Sequence, residues 1–95
     1  MKYISFAIPC YNSEAYMEKA IQSILPGGED VEIIVVNDGS SDGTSEVAKK
    51  YEEKYPGIVK AVDKENGGHG DAVNTGLAHA TGVYFKVVAC ARPVA

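Results

Sequence analysis

Cysteine is scarce in this chain, with only Cys10 and Cys90 among 95 residues. Two cysteines cannot build the multi-bridge framework of small secreted domains, and nothing here has the spacing of a zinc site. The expectation is a reducing, cytoplasmic setting with both thiols free. Basic charge is also short. Nine Lys and Arg stand against thirteen Asp and Glu, a net charge of −4, which argues against binding nucleic acid and leaves no polybasic patch for a membrane. No apolar run approaches the roughly 20 residues that span a bilayer. The stretch Tyr3-Ile4-Ser5-Phe6-Ala7-Ile8 is too short for the apolar core of a signal peptide, and Pro9 ends it. Membrane contact is therefore expected only through regions outside this chain. Repeats, linkers and low-complexity tracts are missing as well. So are a Gly-x-Gly-x-x-Gly after the first strand and a Gly-Lys-Ser/Thr run, which excludes a dinucleotide-dependent oxidoreductase and a P-loop NTPase. Cys10-Tyr11-Asn12 lacks the paired acids of a phosphoaccepting receiver domain.

What remains is an alternation of two periodicities. The length suits one small domain, able to bury roughly 60–65% of its unfolded surface. Strands are expected at about Tyr3–Ile8, Glu32–Asn37, Ile58–Val62 and Val83–Val88. Ile33-Ile34-Val35-Val36 is short, β-branched and uncharged, as in a strand buried on both faces. Helices fall between them. The first, about Ser13–Leu25 with Asn12 or Ser13 as N-cap, carries Met17, Ala20, Ile21 and Ile24 as a buried stripe, and Pro26-Gly27-Gly28 stops it. The second starts near Asp42–Thr44, with Asp42 as N-cap. It buries Thr44, Val47, Ala48, Tyr51 and Tyr55 and turns Lys49, Lys50, Glu52, Glu53 and Lys54 to water. The third, about Asp71–Ala80, buries Ala72, Val73, Gly76, Leu77 and Ala80, with Gly82 as its C′ residue. This order implies a parallel four-stranded sheet in a Rossmann-like, three-layer α/β/α fold.

Three turns then share one rim, the carboxyl ends of the strands, where open α/β sheets bind ligands. The first brings Pro9-Cys10-Tyr11-Asn12, whose aromatic ring can stack a base. The second brings Asp38, an acceptor for a base or ribose, with Gly39 to turn the chain and Ser40 and Ser41 in the turn. The third brings Lys64 to Asp71, including the glycine-rich stretch Glu65-Asn66-Gly67-Gly68-His69-Gly70. Its backbone amides at a helix N-terminus suit an anion.

Pro9-Cys10-Tyr11-Asn12, then Val35-Val36-Asn37-Asp38-Gly39-Ser40-Ser41-Asp42-Gly43-Thr44, then Asn66-Gly67-Gly68 with Ala72-Val73-Asn74-Thr75-Gly76-Leu77-Ala78 resemble the N-terminal half of family 2 glycosyltransferases, of the GT-A fold. The resemblance runs from Ile4 to Val88. Each motif alone is weak, but three in order on the right strand–turn–helix elements are specific. It implies a nucleotide-diphosphate sugar as ligand, taken here as a UDP-sugar. The nucleotide-binding residues it implies are Pro9, Tyr11, Asn12, Asp38, Asn66, Gly67, Gly68, His69 and Asp71. No catalytic residue is implied.

One departure accompanies the match. After its fourth strand the family places an Asp-x-Asp motif that holds Mg²⁺ or Mn²⁺ against the donor diphosphate. The matching positions here are Ala89, Cys90 and Ala91, and none offers a carboxylate. The expectation is a partial donor-binding domain over residues 1–88 and a non-family tail over 89–95, cut short by an altered reading frame or early end. Such a half would be inactive alone and would self-associate through uncovered apolar surface. The alternative is a non-catalytic nucleotide-binding or assembly module.

Overall fold

Burial on both faces of one strand organises the sheet. Ile33, Ile34, Val35 and Val36 are all 0% exposed. In the computed structural model they form the centre of β2 (Val31–Asp38), between β1 (Ile4–Cys10) and β3 (Val59–Lys64). The fourth strand, β4 (Tyr84–Val87), lies on the other side of β1. Every pairing is parallel, in the order β3-β2-β1-β4. The structure describes residues 2–12, 14–40 and 43–88, with only the backbone of Ala15 and His69.

Three helices cover the sheet: α1 (Glu14–Ile24), α2 (Thr44–Lys54) and α3 (His69–His79). Side chains alternate along a strand, so β2 serves two cores. Ile33 and Val35 pack with Met17 and Ile21 of α1 and Ala48 and Tyr51 of α2. Ile34 and Val36 face Ala72 of α3. The result is the expected α/β/α layering. The chain turns from one side of β1 to the other between β3 and β4, and at such a switch point the carboxyl ends of the strands open a crevice.

Several boundaries differ from the sequence expectation. Asp38 is the last residue of β2 rather than the first beyond it, and β3 runs on to Lys64. Pro26-Gly27-Gly28 does not release the chain. It winds a 3-10 segment, Leu25–Asp30, broken at Gly28 by a φ of 68°. Proline is acceptable there because it occupies the first turn. The third helix starts at His69, two residues early. Ala72 and Gly76, one turn apart, take its sheet-facing side, which leaves Leu77 off that face and 53% exposed. Gly82 is not a C′ residue: α3 ends at His79, and its capping residue Ala80 already has an extended backbone (φ −73°, ψ 136°). The glycine serves close approach to β1 instead, because a Cβ on it would lie 2.7 Å from Ser5 Oγ and 2.8 Å from Ser5 N. Glu52 is half-buried rather than solvated, and its Oε2 accepts the Ala61 N–H at 2.8 Å. That bond satisfies a backbone donor on β3, an edge strand. Cys10 is buried, and its thiol donates to the Ile8 carbonyl at 3.5 Å. The expectations for Ser13, Ser41, Asp42, Cys90 and the tail fall outside the described residues.

A glutamate at the start of β2 joins four parts of the chain. Glu32 is 1% exposed. Its carboxylate accepts from Ser5 Oγ (2.8 Å) on β1 and from Thr81 N and Oγ1 (2.9 Å each) before β4. Lys60 Nζ of β3 completes the set at 2.8 Å. Ser5 Oγ in turn accepts from Gly82 N at 2.8 Å. Burial pushes this carboxyl up. The Lys60 ammonium, Thr81 and Ser5 more than offset it and bring the pKa down to about 2. The network fixes the entry of β4 beside β1.

Candidate functional site

Asp38 is the centre of the rim. It ends the most buried strand, is 4% exposed itself, and is the register partner of Lys64 on β3. Lys64 Nζ donates to Asp38 Oδ1 at 2.8 Å. The N–H of Gly67 donates to the same oxygen at 2.9 Å, and that of Gly68 to Oδ2 at 3.1 Å. Asn66 Nδ2 donates to the Asp38 carbonyl at 3.1 Å. The amides expected to hold a ligand's anion thus hold the chain's own carboxylate. A carboxylate has about four acceptor positions, and the contacts among the described residues use three. Lys64 above all, then the Gly67 amide, hold the Asp38 carboxyl below its ordinary range against the opposing effect of burial.

The turns around it are tied together. Asn37 Oδ1 accepts Ser40 N at 3.1 Å, closing a turn that Gly39 permits with a φ of 72°. Ser40 Oγ accepts the Asn12 N–H at 2.9 Å, which links the turns after β1 and β2. Asn12 has a φ of 47°, a conformation asparagine tolerates better than most residues. On the opposite face, Asn37 Nδ2 and Ser45 Oγ both donate to Asp63 Oδ1, and Lys49 pairs with that carboxylate at 3.2 Å.

A pocket of about 100 Å³ opens at this rim, lined by Pro9, Cys10, Tyr11, Asp38 and Ala72. Pro9 and Cys10 are buried, and the Tyr11 ring is 55% exposed. The expected residues therefore divide. Pro9, Tyr11 and Asp38 form the pocket. Asn66, Gly67 and Gly68 brace Asp38, and Asn12 braces the first turn. Asp71 stands outside, 55% exposed and paired with Lys64 at 2.5 Å. His69 opens α3, and its side chain lies outside the described residues.

Sequence reasoning brought Lys64 to the rim in the loop after the third strand without giving it a role, and put Ala72 in the helix core rather than at the pocket. A register argument would have found the partner of the lysine, since the last residues of adjacent parallel strands meet at one rim. A larger cavity of about 400 Å³ lies at the other end of the sheet, before the amino ends of β1, β2 and β3, between Lys2, Asp30 and Gly57. Nothing converges there as it does on Asp38.

A divalent cation finds poor accommodation among these groups. Asp38 and Asp71, two acids at the rim, already flank an ammonium. Among the described residues, no three His, Cys, Asp or Glu side chains are placed to hold a metal. No helix there is long and apolar enough to cross a membrane.

Comparison with known proteins agrees with this architecture. The sequence pattern of the family described as Glycosyl transferase family 2 matches residues 5–89. The minor teichoic acid biosynthesis protein GgaB of Bacillus subtilis is 40% identical over 85 residues, covering 86% of this chain and 9% of that protein. The S. aureus TarS fragment 1–349, solved in complex with UDP-GlcNAc, is 33% identical. It superposes with a TM-score of 0.80 over 95% of this chain and 26% of its own. The mannosyltransferase PcManGT from Pyrobaculum calidifontis, solved with GDP-Man and Mn²⁺, is 29% identical with a TM-score of 0.73, over 82% of this chain and 24% of its own. The chain thus spans between 9% and 26% of the length of these relatives. With a family pattern across nearly all its residues and a matching sheet, it belongs to glycosyltransferase family 2.

Proposed function

We propose that this chain is the donor-binding half of a nucleotide-sugar transferase, and that its rim takes the nucleoside diphosphate of a UDP-sugar. The pocket beside Asp38 carries the reading. It has an apolar lining in Pro9, Cys10 and Ala72, an aromatic ring in Tyr11 and a carboxylate acceptor. At about 100 Å³ it is too small for a nucleoside diphosphate, so it suits the base alone. Ribose and phosphates would extend over Asn12 and the loop Asn66–Asp71. The UDP-GlcNAc complex of TarS supports uracil as the base.

The metal-binding carboxylates of the family have no counterpart at Ala89, Cys90 and Ala91. A cation there supplies charge for a diphosphate leaving group, and this chain alone binds without transferring. The parent protein works in the cytoplasm, in its full form at the inner face of the membrane.

Labelled chain titrated with UDP, GDP and CMP, with and without Mn²⁺, tests this by NMR. Shifts should converge on Tyr11, Asp38 and the 67–70 loop, with UDP strongest and Mn²⁺ adding little. Tyr11→Ala should weaken UDP roughly tenfold, since stacking on an aromatic ring contributes about 1–3 kcal/mol per base. A dispersed spectrum that no nucleotide moves would overturn the reading. A large gain from Mn²⁺ would overturn its metal part.

Self-association belongs to the same proposal. The edge strand β4 exposes Tyr84 and Val87, flanked by Val83 and by Tyr3, whose ring meets Tyr84 edge-on at 5.2 Å. Light scattering at high concentration should give a dimer mass, and Val87→Lys should return a monomer by charging that edge. A monomer in both samples would refute it.

A further inference from the structure

The ammonium of Lys64 stands where three segments of the rim meet. It donates to Asp38 Oδ1 on β2 at 2.8 Å, to Asp71 Oδ2 on α3 at 2.5 Å, and to the Glu65 carbonyl at 2.5 Å. An ammonium has three N–H donors, so these contacts use them all. The two ionic partners differ. Asp38 has a 6% exposed side chain, whereas that of Asp71 is 55% exposed. An exposed pair contributes little, while a buried one fixes geometry. Gly67 makes room for the group: a Cβ on it would lie 3.1 Å from Lys64 Nζ and closer still to the Asp71 carboxylate.

Asp38 carries this arrangement into the pocket. A buried carboxyl without a counter-charge takes up a proton and becomes a donor as well as an acceptor. With an ammonium and two backbone N–H groups on it, Asp38 remains an anion and can only accept. Bases differ in what they offer such a group. Uracil and guanine present a ring N–H on the pairing edge. Cytosine and adenine present a bare ring nitrogen there, which is itself an acceptor.

We propose that Lys64 is a specificity-positioning residue: it holds Asp38 as a fixed acceptor and so selects bases with a ring N–H over those without one. The proposal rests on the nucleotide reading above. It goes further by assigning discrimination to a residue that does not line the pocket.

The test compares UDP with CDP, which differ only in the base, by calorimetry without metal. Wild-type chain should prefer UDP by about tenfold or more, the scale of one charge-assisted hydrogen bond. Lys64→Met should weaken UDP and shrink the preference to about twofold or less. Lys64→Arg, which keeps the charge, should retain it. A lysine that only supports the fold would weaken both nucleotides alike, so an unchanged ratio in K64M overturns the proposal. If K64M does not fold, Asp38→Asn serves instead, because an amide of the same shape can donate or accept. An unchanged ratio in D38N is equally fatal. Wild-type chain that binds neither nucleotide would overturn the nucleotide reading, and this proposal with it.

Discussion

Asp38→Ala should destabilise the chain by about 3 kcal/mol, the most of any substitution at the rim. The side chain is nearly inaccessible and is the common acceptor of Lys64 Nζ, Gly67 N and Gly68 N. Alanine would strand two loop amides and leave an ammonium partly buried with only Asp71 and a carbonyl for company. In a domain of this size about 1 kcal/mol shifts the melting temperature by roughly 4–8 °C, so a fall of more than 10 °C is expected. Asp38→Asn should lose about half as much, because it keeps the shape and one oxygen acceptor. Nucleotide binding should vanish in the alanine variant before the fold does. Thermal melts with a UDP titration check both. A melting temperature within a few degrees of wild type would mean that the loop holds its own order and that Asp38 is only its neighbour.

The contrast between Asp38 and its surroundings marks what a sequence can carry. The strand that positions it was legible because four consecutive β-branched residues leave no polar face, and Ile33 to Val36 are indeed wholly buried. The pocket residues Pro9, Tyr11 and Asp38 were legible from the alternation of strands and helices, which puts the carboxyl ends of parallel strands at one rim, and the resemblance implied the same residues. The way Asp38 is satisfied was not. Its partners lie 26 to 30 residues away, and Asp63-Lys64-Glu65-Asn66 reads as an ordinary charged turn until β3 is extended by two residues. Leu77 failed for a related reason. Helical spacing gives a stripe but not its width, and α3 meets the sheet through the small residues Ala72 and Gly76. Local pattern thus predicted the elements. The polar bonds between elements, which fix how each turn sits, depend on register that no local window contains.

Glu32 is the extreme case of such a bond, and it predicts a pH dependence with a defined sign. The group titrates at about 2 when folded, against an ordinary value of 4.5. A depressed carboxyl stabilises the fold above its unfolded pKa, and that contribution is lost as pH falls through the folded value. The window therefore runs from about pH 5 down to about pH 2, and the stability at stake is about 3 kcal/mol. Glu32→Gln mimics the protonated form at every pH. It should be less stable than wild type by about 2–3 kcal/mol at pH 7, and the two curves should converge towards pH 2. Asp38 and Asp63 are also held below their ordinary range, but they are present in both proteins, so the difference between the curves isolates Glu32. Urea denaturation from pH 2 to 7 measures it, and parallel curves would show that the Lys60–Glu32–Thr81 network carries no such linkage. Thr81 and Gly82 lead directly into β4 beside β1. Weakening Glu32 should therefore loosen β4 first, and hydrogen exchange in E32Q should accelerate at Tyr84–Val87 before it does at Ile33–Val36.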